Sequence, residues 1–474
     1  MSSPSADKQG VLLYSVGQVA DMLGVPQAYL RRLDERDVVT PSRSAGGQRR
    51  YSRREIDQVQ RVISLVEEGL NLAGARRVLT LEGRVAELEA DSTQAKAVSV
   101  PSTLTAEPVT VAGPQRLRIA MIATPYFSVP PPAYGAVEAV VANLVDPLVD
   151  RGHHVTLIGT GRHGTRAQRF LASYEISPEE RLGEPLPEVM HAAYAARALE
   201  ECDVDIVHDH TLASPLLARG RLTPTVATVH GPVNGELGDY YRTLGNTMRL
   251  VAVSDAQRAA APDLPWVATV HNAVRTDTFP FQATKEDFVL FLGRFNPDKA
   301  PHLAIEAARA AGLPIVLAGK CSEPVERAYF AREIEPLLGP DITLFGIVDA
   351  TAKRDLFARA ACLVFPICWD EPFGLVMLEA MACGTPVVAL RRGAVSEIVV
   401  PGRTGIIVDH PDELPDAIHA ARALDPAACR AHVETSFTVQ AMAAGYEAAY
   451  RQTLAGSRAL PEQSGSTEYQ DSAR

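Results

Sequence analysis

Two patterns in the chain predict an α/β protein with a small all-α domain in front. From Leu117 to about residue 435, apolar runs alternate with amphipathic segments, the signature of parallel sheets covered by helices. Ahead of them lie two short helical patterns joined by a Gly-containing turn, with arginines crowded behind. Residues 91–115 between them are rich in Ser, Thr, Ala and Pro, without periodicity, and read as a flexible linker. A length of 474 residues has room for about three domains. With 46% hydrophobic and 22% charged residues the composition is that of a soluble globular protein. No apolar run approaches the roughly 20 residues of a membrane helix. The first ten residues lack an apolar signal-peptide core, so the cytoplasm is the expected compartment. Six scattered cysteines without a CxxC pair suggest neither a disulfide framework nor a zinc site. A net charge of −11 argues against the whole chain coating nucleic acid, but leaves room for a local basic reader.

In the first domain, residues 11–90, Ser15 is placed to cap a helix over 16–23, and Gly24-Val25-Pro26 makes a turn into a second helix, QAYLRRLDERD. This is a helix-turn-helix order, in which the second helix enters the major groove. SRSAGGQRRYS follows as an arginine-loaded wing. From Arg31 to Arg54 there are eight arginines against Asp34, Glu35 and Asp37, a cluster suited to phosphates. The order helix-turn-helix, RxxGGxRRY wing, long helix resembles the MerR family of regulators, closest to its heat-shock-repressor branch. That resemblance implies a winged helix-turn-helix domain that binds double-stranded DNA, with Arg31, Arg50 and Tyr51 on the backbone and Gln27 and Tyr29 facing bases. The alternative is a helical module that kept the fold and lost the DNA. Val78, Leu81, Val85 and Leu88 form an a/d seam of barely two heptads, interrupted by Gly83, so any homodimer through it is expected to be weak.

The α/β part starts with a strand at 117–124, a Pro-rich loop to Gly135 and a helix over 136–150. Strands follow at 154–159, 205–209, 225–230, 250–254 and 267–271, and a second series at 288–294, 314–319, 342–345, 362–366 and 386–390. Two doubly wound units are expected to face a cleft at the carboxyl ends of their strands. There, GRFNPDKAP supplies Arg294 and Lys299, two cations able to neutralise a diphosphate. WDEPFGLVMLEAMACGTP, residues 369–386, sets Glu371 and Glu379 eight positions apart around a predicted helix start. Free amides at such a start bind anions, and carboxylates on either side accept from hydroxyls, a cradle for a sugar nucleotide.

The last segment resembles the EX7E motif of retaining glycosyltransferases of family 4, and YGAVE at 134–138 resembles that family's YGGxE loop with Ala136 for the second glycine. The resemblance covers about residues 117–454. It implies a GT-B glycosyltransferase with two Rossmann-like domains: an acceptor domain at 116–283, a donor domain at 284–435 and a C-terminal helix at 436–455 crossing back. A disordered tail is expected at 456–474. It also implies roles: Gly135 against the donor phosphates; Phe373, Gly374 and Leu375 presenting amides; Glu371 supporting the sugar; Glu379 holding the ribose; and His230 facing donor sugar and acceptor. His208 and His210 are expected on the acceptor side or as structural residues. Family 4 enzymes need no metal, so no cofactor is expected beyond a nucleotide-diphosphate sugar as substrate. Ala273 in VHNAV stands where the family commonly has glycine, implying a different turn. The base of the donor is expected to be read near 345–348; base, sugar, acceptor and operator stay open. The competing reading is a transcription regulator whose transferase-like part only senses a sugar nucleotide.

Overall fold

The computed structural model describes residues 5–6, 12–35, 38–44, 47–67, 78–79 and 116–458, and the chain divides into two units, Met1–Val111 and Ala112–Arg474. The expected linker, and Leu81, Val85 and Leu88 of the dimer seam, lie outside the described residues.

In the first unit, Ser15 caps helix Val16–Leu23 through a reciprocal bond: it accepts from the Gln18 amide while Gln18 accepts from its own amide at 2.9 Å. Gly24, at φ +66, ends this helix, and Gln27–Glu35 follows across the turn. The wing is a β-hairpin. Strands β1 (Ser5–Ala6), β2 (Leu12–Ser15), β3 (Ser42–Arg43) and β4 (Arg49–Tyr51) pair in the order β1-β2-β4-β3, with Ser42 opposite Arg50. Val19, Leu30, Leu33, Val59 and Val62 close the core with helix Arg53–Glu67.

The second unit contains two all-parallel sheets. The first holds β5 (Arg118–Ile122), β6 (His154–Gly159), β7 (Arg169–Ala172), β8 (Ile206–Asp209), β9 (Thr225–Val229), β10 (Arg249–Ala252) and β11 (Trp266–Thr269), ordered β11-β10-β9-β8-β5-β6-β7. The second holds β12 (Val289–Leu292), β13 (Ile315–Ala318), β14 (Ile342–Gly346), β15 (Cys362–Phe365), β16 (Val387–Leu390) and β17 (Gly405–Val408), ordered β14-β13-β12-β15-β16-β17. In each sheet the first strand in sequence sits inside and the order reverses beside it, which opens a crevice at the carboxyl ends. β7 and β17 were absent from the sequence expectation. β7 is the short, half-exposed edge strand RFLA, and GIIV of β17 is too brief for periodicity to separate from a loop.

Helix Val439–Arg458 packs back onto the first sheet. Met442, Ala443, Tyr446, Ala449 and Tyr450 form a stripe at helical spacing, buried among residues of β5, β6 and β9, and its Glu447 pairs with Arg151. Two buried tyrosines there contribute roughly 1.5–3 kcal/mol each. The helix begins later than expected, because Ser436 ends the helix Pro426–Ser436, and it continues through 456–458, which had been assigned to a disordered tail. The rest of that tail lies outside the described residues.

Candidate active site

The strand ends of the second sheet are packed backbone against backbone. Gly319 follows β13 at φ +148, and a Cβ there would fall 1.8 Å from the carbonyl oxygen of Gly293, just after β12. Only glycine permits that approach, and it sets Arg294 and Lys320 on neighbouring strand ends. Lys299 precedes Ala300, which holds φ +46 without being glycine, directly before helix Pro301–Ala310. Such backbone strain costs on the order of 1–3 kcal/mol and fixes where the lysine emerges.

Lys299 forms an ion pair with Glu371, and the Trp369 indole N–H donates to the same carboxylate at 2.9 Å. Gly393, at φ +48, lies so close that a Cβ would fall 2.3 Å from the Glu371 carbonyl, which also accepts from the Ala394 amide. Glu371 is therefore fixed at both backbone and side chain. Gly374 takes φ +87 and opens helix Leu375–Ala382 without a side-chain cap, and Gly374, Leu375 and Val376 line the cleft. One turn on, Glu379 is held by Lys353 at 2.6 Å.

Gly135, Arg294, Lys299, Glu371, Gly374, Leu375 and Glu379, all singled out in the sequence, line a single cleft of about 450 Å³, within the size range of small-molecule sites. Two expected members do not line it. The Phe373 side chain is 3% exposed and packs in the core of the second sheet, so only its backbone is available. His230 ends β9 apart from the cleft, 2.9 Å from His210. Ile347 and Val348, from the loop expected to read the base, do line the cleft.

Several residues were not foreseen. Arg294 donates to Glu326 at 2.7 Å and to Glu323 at 3.0 Å, and Lys320 donates to Glu323 at 3.0 Å. Burial opposes both charges of the Arg294–Glu326 pair; pairing and backbone amides outweigh it, so the arginine pKa rises and that of Glu326 falls. The sequence carried a faint signal, since Glu323 and Glu326 form a capping box on helix Pro324–Tyr329. Lys353 carried none: it lies in an amphipathic helix, Ala350–Arg359, without motif. Across the cleft, Lys320 sits 5.9 Å from the Tyr134 ring centre. Glu138 of YGAVE is buried beside Gly135, accepts from Thr124, and is pushed by burial up to about 7. Glu397 joins the two sheets' domains, accepting from the amides of Asp255 and Ala256 and lying 2.9 Å from His271. In VHNAV, Ala273 is buried and its carbonyl accepts from Asn143.

On the first unit, Gln27 and Arg31 are exposed, and Tyr29 and Arg50 half-buried. Tyr51 corrects the expectation: it is 1% exposed and its hydroxyl approaches the Leu30 carbonyl, so the ring belongs to the core and not to a DNA surface. Alternation along β4 turns it inward while Arg50 faces out. Asp34 engages both Arg43 and Arg49, which lowers the free positive charge of the wing. Among the described residues no helix is long and apolar enough to cross a membrane, and no cluster of ligating side chains could hold a metal.

Comparison with known proteins agrees with this architecture. Residues 14–82 match the family described as MerR HTH family regulatory protein, 137–278 match Glycosyltransferase Family 4, and 275–426 match Glycosyl transferases group 1. A D-inositol 3-phosphate glycosyltransferase of Kribbella flavida is 35% identical over 195 residues, 38% of this chain and 45% of that protein. A glycogen synthase of Mycobacterium tuberculosis is 29% identical over 235 residues, 43% of this chain and 56% of that protein. The chain thus spans about half, or less, of the length of these curated relatives. AviGT4, a glycosyltransferase involved in avilamycin A biosynthesis, is 28% identical with a TM-score of 0.53, covering 72% of this chain and 98% of that one. Anabaena HepE, in complex with UDP-glucose, shares the fold at 17% identity and a TM-score of 0.55, covering 72% and 100%. The chain belongs to the family 4, group 1 glycosyltransferases of GT-B fold, carrying a MerR-family helix-turn-helix domain ahead of the transferase.

Proposed function

We propose that the chain transfers a hexosyl group from a nucleotide-diphosphate donor to an acceptor hydroxyl with retention of configuration and without metal, in the cytoplasm. The observation that carries this reading is the meeting, in one cleft, of Arg294, Lys299, the opening amides of helix Leu375–Ala382 and the carboxylates of Glu371 and Glu379. Two cations and a helix start suit a leaving diphosphate. Glu371 supports positive charge developing on the sugar, and Glu379, braced by Lys353, accepts from ribose hydroxyls. Its MerR-type domain binds double-stranded DNA through Arg31, Arg50, Gln27 and Tyr29.

The test is a donor screen with UDP-, GDP- and ADP-sugars, following hydrolysis without acceptor, with and without EDTA; UDP-glucose, the ligand of HepE, is the first donor to try. Glu371→Gln keeps the shape and loses the charge, so turnover should collapse while donor affinity is mostly kept. A wild-type protein that binds donors and turns over none would favour the second reading, a sugar-nucleotide sensor, for which the attached MerR domain is the motivating observation. For DNA, Arg50→Ala should weaken binding on every sequence and flatten the salt slope by about one unit.

A further inference from the structure

Three histidines stand side by side at the carboxyl ends of β8 and β9. The His208 and His210 rings lie 4.1 Å apart and those of His210 and His230 5.2 Å apart. His210 Nε2 lies 3.2 Å from the Met121 sulfur, and its Nδ1 lies 2.9 Å from His230 Nε2. A thioether sulfur has lone pairs and no proton, so it can only accept. His210 must therefore carry its proton on Nε2, because the other tautomer would set two lone pairs against each other in a buried place. A neutral imidazole has one N–H, which leaves His210 Nδ1 as an acceptor, and only a protonated Nε2 of His230 can satisfy it. His230 Nδ1 is then a lone pair. The ring's one hydrogen-bond partner among the described residues is His210, on the other nitrogen, and His230 keeps some exposure to solvent.

We propose that Met121 and His210 act as positioning residues that fix His230 in the Nε2–H tautomer, so that its Nδ1 stands ready to accept a hydrogen bond from a hydroxyl of the acceptor. The role for the acceptor rests on the transferase reading; the tautomer does not. Neutral rings are what this site supports: burial pushes His210 well below its ordinary value and His230 down to about 4. The loop after His230 also faces the donor domain, where Asn234 approaches Asp370 at 3.5 Å, which brings this strand end towards the segment that carries Glu371.

The experiment is two-bond 1H–15N correlation on the full chain labelled at its 12 histidines, with His230 signals assigned by their loss in His230→Gln. At neutral pH, His230 should show a protonated Nε2 and an unprotonated Nδ1. In His210→Leu that bias should vanish and acceptor-dependent transfer should fall about tenfold with the donor KM unchanged. His210→Asn, whose carbonyl oxygen replaces the Nδ1 lone pair, should restore both. Met121→Leu, close in volume, should let the His210 proton redistribute between its nitrogens, and it serves where His210→Leu fails to fold. A wild-type His230 carrying Nδ1–H or a second proton, or a His230 pattern unmoved in both His210→Leu and Met121→Leu, would overturn the proposal. Finding the Nε2–H tautomer in a protein that turns over no donor upholds the tautomer and removes the transferase reading instead.

Discussion

Arg294 and Lys299 differ in what their removal leaves behind. On the proposed function each would make a charge-assisted contact to a diphosphate, worth roughly 1.5–3 kcal/mol, so Arg294→Ala and Lys299→Ala should each weaken donor binding or turnover about ten- to a hundredfold. Arg294→Ala also strips a cation from Glu326, which has no solvent exposure, and so should lower thermal stability more than Lys299→Ala does. Donor titration and melting of both variants checks this; unchanged donor affinity in both would mean that the diphosphate binds elsewhere. Glu138 gives a pH signature. Burial raises its carboxyl from an ordinary 4.5 to about 7, so between those values the folded chain holds a proton that the unfolded chain has released. Stability should therefore fall as pH rises through that window, by a contribution on the order of 3 kcal/mol. Glu138→Gln resembles the protonated form and should remove this contribution, so the melting temperature of the variant should gain on wild type between pH 5 and pH 8. Equal pH slopes would show that Glu138 is not desolvated. Of the site residues, charges and glycines next to strand ends were legible because their chemistry is local. Tyr51 was not, since a tyrosine after two arginines reads equally as a DNA contact or a core ring, and only the pairing of β4 with β2 decides.

At the scale of elements, strand ends carry more constraint than the strands themselves. Gly319 and Gly346 both hold positive φ, yet a Cβ at Gly319 would strike the Gly293 backbone while one at Gly346 meets nothing within 4 Å. Gly346→Ala should cost about 1–2 kcal/mol, the price of a left-handed residue. Gly319→Ala needs β12 and β13 to part at the cleft and should cost roughly 4 kcal/mol or more, with donor binding lost. Comparison of melting temperatures settles it; similar values for the two variants would deny the close approach. Long apolar strands such as β5, RIAMI, announce themselves, whereas β7 and β17 are recognised only by the neighbours they pair with. The Ser15 cap was readable because a capping box is a contact between residues three apart. The Arg294–Glu326 pair spans 32 positions and no local rule points to it.

For the whole molecule, residues 91–115 lie outside the described residues, and the expectation from their Ser-, Thr-, Ala- and Pro-rich sequence is weak coupling between the two units. Donor binding should accordingly change operator affinity by less than about threefold, under 1 kcal/mol of coupling, and DNA should change donor affinity by the same factor. Fluorescence titration of DNA with and without saturating donor measures this, and a coupling above tenfold would mean that the two units dock and would favour the sensor.

By itself the sequence determined the order of units, the two doubly wound sheets and many of the residues that line the cleft, because periodicity, glycine placement and short motifs are properties of neighbouring residues. Tertiary structure alone decided which charges hold one another: Lys299 with Glu371, Lys353 with Glu379, Arg294 with Glu323 and Glu326. It also decided that Tyr51 turns inward and that Met121, 89 positions from His210 in sequence, lies against that histidine's ring nitrogen. These depend on strand order and on crossings between distant segments, where sequence spacing carries no distance information.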